Sequence, residues 1–302
     1  MIVSIIGSNG MLSSSFSHFL KKKNPKIKLW VFGKRKPLNY AYDVFHEINL
    51  LTDKLEYKNL LNSDVIIYAA GAGVQPALQT PAELMYKLNL YIPINICNTL
   101  QTKNFKGIFI SFGSYMEIGA NQDETKAYNE QSIINSELDI SNNYALSKRL
   151  LSRFMDAFKA DYKYYHFILP NLFSKNESGT RLIPYVIEYL NKKRNGQECN
   201  PLKLSSGTQL RQYVNLEEVG EVIFRAITLQ IPSSVYNIGG GEILSIRNLV
   251  TRIFSYYNLP IDESIFGKEQ RRDGDIHCLK MNGDKLASLI NFKPQLKIES
   301  IL

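Results

Sequence analysis

The order of its apolar segments constrains this 302-residue chain more than any other feature. Short runs rich in Val, Ile and Phe stand at Ile2–Ile6, Lys28–Phe32, Asp64–Ala70, Gly107–Ser111 and His166–Leu169. Between them lie longer stretches with helical spacing, Met11–Lys22, Pro81–Gln101 and Asn143–Ala160. Strands that alternate with helices predict an α/β fold, a doubly wound parallel sheet with helices on both faces. Beyond Pro170 the pattern loosens into loops rich in Asn, Ser and Gly, with helices expected near Arg181–Lys193, Leu216–Leu229 and Ser245–Tyr257. That predicts a smaller C-terminal α/β lobe over 170–302 beside a first domain over 1–169, to which 212–237 returns. No repeat or low-complexity linker interrupts the chain.

Composition narrows the class. Hydrophobic residues make up 44% and charged residues 21%, which suits a globular protein with a sizeable core. No apolar run approaches the roughly 18 residues that span a bilayer, so no membrane association is expected. The apolar start lacks a charged leader region and runs straight into Gly7, so it reads as a core strand rather than a signal peptide. Cys97, Cys199 and Cys278 form no CxxC pair, which points to a reducing, cytoplasmic setting. The four histidines show no metal-ligand spacing. The net charge of +8 admits an acidic partner or merely a lysine-rich composition. Its clusters at Lys21–Lys23 and Lys34–Lys36 are too short for a nucleic-acid stripe.

Gly7-Ser8-Asn9-Gly10-Met11-Leu12 follows the first strand and opens the first helix, the context that a dinucleotide phosphate loop requires. Gly7 permits the tight turn, and Gly10 lets backbone approach a pyrophosphate at a helix N-terminus. Ser13 stands where a third glycine is expected and is small enough for close helix–strand packing. The second strand ends in Gly33-Lys34-Arg35-Lys36 instead of the carboxylate that binds the ribose hydroxyls of NAD. Lys34 and Arg35 suit the 2′-phosphate of NADP, although a solvated basic loop would look the same. Further on, Tyr144 and Lys148 are four residues apart on one helix face. There an ammonium can lower the tyrosine pKa toward neutrality and fit it for proton exchange with a carbonyl or alcohol.

Taken in order, these segments resemble the extended short-chain dehydrogenase/reductase family, in its nucleotide-sugar epimerase/dehydratase branch, over nearly the whole chain. The resemblance implies a Rossmann fold and an NADP cofactor, with NAD as the alternative. It places Asn49-Leu50 near the adenine, Ala69-Ala70-Gly71 and Asn89 around the cofactor, and Ser111 and Ser114 as rivals for the catalytic serine. Ser114 is favoured by its place after Gly113, and Tyr144 and Lys148 match the catalytic pair. Pro170-Asn171-Leu172 is similar to the segment meeting nicotinamide and sugar, with Gly73 and Val74 also on the substrate side. Arg181-Leu182 and the stretch Gln209-Leu210-Arg211-Gln212-Tyr213-Val214 resemble the nucleotide pocket. Arg211 and Arg272 match the diphosphate arginines. The family's dehydratases carry Asp-Glu directly after the catalytic serine, where Tyr115 and Met116 stand here; Glu117 comes one position late. With a cationic second-strand end, the similarity is greatest to NADPH-dependent 4-reductases of nucleotide-linked 4-keto-6-deoxyhexoses that serve surface polysaccharide. A C4 epimerase holding NAD is the alternative. A member that binds NADP without turnover is a further one, against which the intact Tyr144 and Lys148 speak. Family members commonly dimerise through the helices at Pro81–Gln101 and Asn143–Ala160, so a homodimer is expected.

Overall fold

The computed structural model describes residues 1–73, 80–175, 177, 179–271, 273 and 276–302. The strands β1 (Ile2–Ile6), β2 (Lys28–Gly33), β3 (Val44–Glu47), β4 (Val65–Tyr68), β5 (Ile108–Ser114), β6 (Lys163–Leu169) and β9 (Ser234–Asn237) build one sheet. Its order is β3-β2-β1-β4-β5-β6-β9, and every neighbouring pair is parallel. This is the predicted Rossmann-type sheet. Alternate strand residues face opposite sides, as the two-residue period demands. Val3, Ile5, Val65, Ile67, Ile108 and Ile110 pack with Phe16 and Leu20 of α1 (Met11–Lys23) and Val219 and Ile223 of α8 (Leu216–Leu229). Ile6, Ile66 and Phe109 pack on the other face with Ile96 and Leu100 of α4 (Ile92–Thr102) and Leu151 of α6 (Asn143–Ala157).

A second sheet is built on β8 (Leu210–Asn215), which pairs antiparallel with β10 (Glu242–Ser245) and parallel with β7 (Asn171–Phe173) and β11 (Cys278–Leu279). Phe173, Val186, Leu190, Leu249 and Ile253 form its core with α7 (Leu182–Arg194) and α9 (Ile246–Tyr256). Gln212–Asn215 thus pair in the small sheet, whereas α8 and β9 lie on the large one.

Three departures from the expected elements bear on the site. The strand expected over Gly107–Ser111 continues to Ser114, which carries that serine to the C-terminal edge of the sheet. The helix expected over Pro81–Gln101 is three pieces, α3 (Ala82–Tyr86), a π turn (Lys87–Tyr91) and α4. β3 was not foreseen because its Val-Phe-His-Glu sequence is short and half-exposed at the sheet edge. Among the described residues, no helix is long and apolar enough to cross a membrane.

Candidate active site

The C-terminal ends of β1, β2 and β4 meet around the loop that opens α1. Gly7 has φ +107°, and a Cβ there would lie 2.7 Å from Ala70 N and 2.8 Å from Ala70 Cα. Only glycine lets this turn approach the end of β4. Gly10 caps α1, whose first turn carries no acidic residue, so the free N–H groups are open to an anion. Ser13 is fully buried and donates its hydroxyl to the Gly7 carbonyl, so the departure from a third glycine closes the loop on itself. Met11 and Leu12 are partly buried against the core of the α1 face. The basic loop is tied to this turn: Ser8 Oγ (2.7 Å) and Asn9 Nδ2 (3.0 Å) both donate to the Arg35 carbonyl. Lys34 and Arg35 are exposed beside the phosphate loop. Asn49 and Leu50 follow β3 and are partly buried, with Asn49 Oδ1 accepting from Leu51 N at 3.2 Å.

Asn89 sits in the π turn, completely buried, with Oδ1 accepting from Ala72 N at 2.9 Å and Nδ2 donating to Ala72 O at 2.8 Å. A single π turn aims a side chain that a regular helix would turn elsewhere. Asn89 thereby fixes the loop after Ala69-Ala70-Gly71, and its Nδ2 also reaches Ser147 Oγ (3.1 Å) on α6. Val74 lies outside the described residues; Gly73 before it is exposed, and no atom of the described residues lies within 4 Å of where its Cβ would stand.

α6 is capped by Asn142, whose side chain accepts from Ala145 N at 2.9 Å, so the helix starts just before Tyr144. The Tyr144 hydroxyl is in hydrogen-bond contact with Ser114, which is 7% exposed. Lys148 is buried, and its Nζ donates to the Phe112 carbonyl at 2.8 Å. Burial pushes the Lys148 pKa down to about 8. The expected depression of Tyr144 is corrected here. Burial raises its pKa, with Glu117 raising it further, while Ser114 and Arg181 offset part of this. The lysine bonds the strand carbonyl, and desolvation of a phenolate outweighs the favourable charges. Ser111, the rival serine, is fully buried within β5 and bonded to His166 Nδ1 at 2.8 Å, away from Tyr144.

A buried polar group lies beneath this edge that sequence reasoning did not assemble. His166 sits between Ser111 Oγ and Ser152 Oγ, each 2.8 Å from a ring nitrogen. Burial and the Lys148 charge push its pKa down to about 3. A lone histidine in an apolar strand, and a serine four residues after Lys148, were the available signals. His166 is neutral when folded, yet it titrates near 6.5 when unfolded. Its contribution is therefore present above pH 6.5 and lost as pH falls from 6.5 toward about 3, by up to about 4 kcal/mol. His166→Asn should be less stable than the parent at neutral pH but should lose less on acidification. Denaturant midpoints measured across that range check this, and equal slopes for the two proteins would contradict it.

The smaller lobe brings its arginines over the same edge. Arg181 caps α7, pairs with Glu177 (3.0 Å), and donates to the Leu172 carbonyl (2.9 Å) and to Met11 Sδ (3.3 Å). It thus bridges lobe and phosphate loop, with its charge acting on Tyr144, Tyr115 and Tyr213. Leu182 follows it into α7, and Pro170 is buried between β6 and β7. Asn171 bonds the buried Tyr213 hydroxyl. Gln209 is buried with Oε1 unpartnered. Arg211 is 4% exposed, pairs with Asp273, and donates to the carbonyls of Leu210 (2.7 Å) and Ile276 (2.9 Å). Arg272 lies outside the described residues. Tyr115 joins the cluster as a fully buried phenol whose pKa burial raises, with Arg211, Tyr213 and Asp273 as charged or phenolic neighbours.

A parallel sheet with a glycine turn against its central strands, and a Tyr–Ser–Lys group at the carboxyl edge, defines a Rossmann-type protein with an oxidoreductase-like site. The model of the NAD dependent epimerase/dehydratase family matches residues 3–239, and the chain belongs to that family, among the extended short-chain dehydrogenases/reductases. It is 26% identical over 128 residues to a UDP-glucose 4-epimerase of Rhizobium leguminosarum bv. trifolii, a match covering 41% of this chain and 38% of that one. It is 25% identical over 150 residues to a CDP-abequose synthase of Salmonella typhimurium, covering 47% and 48%. The chain thus spans less than half the length of the curated relatives it matches. Among solved structures, MoeE5 in complex with UDP-glucuronic acid and NAD superposes with a TM-score of 0.76 at 15% identity, over 98% of this chain and 94% of that one. That likeness is one of fold.

Proposed function

We propose that the protein reduces the 4-keto group of a nucleotide-linked 4-keto-6-deoxyhexose with NADPH, in the biosynthesis of surface polysaccharide. The observation that carries the reading is the placing of Tyr144 against Ser114 at the carboxyl edge of the sheet, where burial raises the phenol pKa. A protonated phenol is prepared to give a proton to a carbonyl oxygen as that oxygen gains charge, which is the direction of reduction. The residues fit a nicotinamide dinucleotide: the Gly7 turn is a cradle that a Cβ would fill, and the α1 N-terminus is free of acidic side chains. When bound, that cofactor supplies the hydride chemistry. Gly7, Ser8, Asn9, Gly10, Met11 and Leu12 would hold its pyrophosphate. Asn49, Leu50, Ala69, Ala70, Gly71, Asn89, Pro170 and Leu172 would line the rest. Lys34 and Arg35, tethered to the phosphate loop, favour a 2′-phosphate.

Ser114 donates a hydrogen bond to the sugar carbonyl and Tyr144 delivers its proton there. Lys148 holds the cofactor ribose. Arg181, Leu182, Gln209 and Arg211 face the nucleotide, with Arg272 and Gly73–Val74 completing the substrate side. The diphosphate would take the place of Asp273 on Arg211, since that carboxylate now occupies the guanidinium. No Asp-Glu pair opens on the site, because Tyr115 is buried among the lobe's charged groups and Glu117 turns inward to the Ser114 amide. The similarity to CDP-abequose synthase supports the deoxysugar assignment, and that to UDP-glucose 4-epimerase supports the second reading, a C4 epimerase. The reading includes a cytoplasmic homodimer formed through the segments Pro81–Gln101 and Asn143–Ala160, where Tyr91 and Leu150 are exposed. It also gives the small-sheet lobe the task of binding the sugar nucleotide. Cofactor oxidation measured against freshly made CDP-, dTDP-, GDP- and UDP-4-keto-6-deoxy sugars should show turnover with NADPH exceeding that with NADH. Interconversion of NDP-hexoses by protein that retains NAD, with no reductant consumed, would replace this reading by the epimerase.

A further inference from the structure

The carboxylate of Glu117 is completely buried, yet it lies within the turn that follows Ser114, Tyr115–Ile118. Its Oε1 accepts from Ser114 N at 2.6 Å while Ser114 Oγ accepts from Met116 N at 3.3 Å, a reciprocal cap of that turn. Among the described residues Oε2 makes no hydrogen bond of regular geometry, and the Ser152 hydroxyl is the side-chain group that most stabilises the charged form. A cap alone does not explain the burial of a charge, because an amide would cap as well without the desolvation cost. Gly113 shows where the charge sits. A Cβ at that position would lie 2.5 Å from Glu117 Oε1, 2.9 Å from His166 Nε2 and 3.0 Å from Ser152 Oγ, so three buried polar groups converge on one point beside the backbone. Lys148 Nζ donates at 2.8 Å to the carbonyl of Phe112, the residue before Gly113, so the ammonium and the Glu117 carboxylate lie along the same end of β5 and act on each other as opposite charges.

We propose that Glu117 is a positioning residue, whose anionic carboxylate holds Ser114 by its amide and keeps the buried Lys148 protonated as an ammonium ion. The proposal rests on the assignment of Ser114 and Lys148 to the catalytic site. The groups facing the carboxylate come from several elements. α6 brings Tyr144, Lys148, Arg149 and Ser152, and β6 brings His166, which is neutral. Arg149 is engaged by the carbonyls of Glu117 (2.8 Å), Ile118 (3.1 Å) and Leu138 (3.0 Å). Of the other elements packed on the turn, α5 (Glu130–Ile134) carries Glu130, which accepts from Asn237 N at 2.9 Å, and β11 carries the Cys278 thiol. Burial raises the Glu117 pKa to about 7, and Lys148 is the larger of the two cationic effects opposing that rise. As pH rises through that range the carboxylate charges, and the ammonium beside it is stabilised against loss of its proton.

Glu117→Gln separates the charge from the cap, since a glutamine oxygen can still accept from Ser114 N. Protein labelled with 13C at lysine Cε is titrated by NMR, and the Lys148 signal is identified by its loss in Lys148→Met. The expected result is a Lys148 midpoint lower by about one pH unit or more in Glu117→Gln than in the parent. A folded Glu117→Gln with an unchanged midpoint overturns the proposal and leaves Glu117 a cap only. If Glu117→Gln does not fold, the reciprocal arm decides. In Lys148→Met labelled with 13C at glutamate Cδ, the Glu117 midpoint must rise, and no rise overturns the proposal. Neither arm needs substrate or cofactor, so a protein that reduces no nucleotide sugar still gives a readable answer.

Discussion

Tyr144→Phe is expected to lower turnover by about 10³-fold while leaving the fold and NADPH binding largely intact. The loss follows from removing the proton donor, and positioned acids contribute roughly 10²–10⁴ in rate. Binding should survive because the aromatic ring is kept and Lys148 remains on the Phe112 carbonyl. Single-turnover NADPH oxidation, with cofactor affinity measured separately by fluorescence, distinguishes chemistry from binding. Activity near that of the parent would remove Tyr144 from the mechanism. Ser114 would then have lost the hydroxyl it touches without consequence.

Gly7→Ala should damage both stability and cofactor binding. The added Cβ would meet backbone atoms, Ala70 N at 2.7 Å, Ala70 Cα at 2.8 Å and Ala69 C at 3.0 Å, at a φ of +107°. No side chain can rotate away to relieve the contact, so the phosphate loop or the end of β4 must shift. Strain and overpacking together cost about 2–4 kcal/mol. Because the same movement displaces Ala69-Ala70-Gly71, NADPH affinity should fall at least about tenfold, the equivalent of roughly 1.4 kcal/mol. Gly73→Ala is the control, since no atom of the described residues lies within 4 Å of a Cβ there, and it should leave the unfolding midpoint unchanged. Equal midpoints for the two variants would show that the close approach at Gly7 carries no weight.

The large sheet was legible because its signals are local and repeated. Apolar runs of four to seven residues mark β1, β4, β5 and β6, and Gly7 follows β1 directly. Tyr144 and Lys148 were legible for the same reason, being four apart on one helix. What escaped depends on partners far along the chain. β7, β10 and β11 are short strands that exist because β8 pairs with them. The π turn at Lys87–Tyr91 is supported from β4, where the Tyr68 hydroxyl donates to the Leu88 carbonyl at 2.7 Å. His166 meets Ser111 only through the β5–β6 register, which sets the two directly opposite. The sign of the Tyr144 shift also lay beyond the sequence, since spacing reveals a nearby lysine and not how dry the site is. Arg211 matches a diphosphate arginine in sequence, but its pairing with Asp273 spans 62 positions and shows only in the fold.

The central claim is net reduction by an external cofactor, and the fate of one hydrogen tests it most directly. With NADPH deuterated at the transferable C4 position and the 4-keto-6-deoxy sugar nucleotide that the substrate panel selects, each NADP formed should leave one deuterium at C4 of the product sugar. The product should accumulate in step with NADPH consumed. Sugar nucleotides that interconvert at C4 without taking up deuterium, with NADPH left intact, would contradict the account.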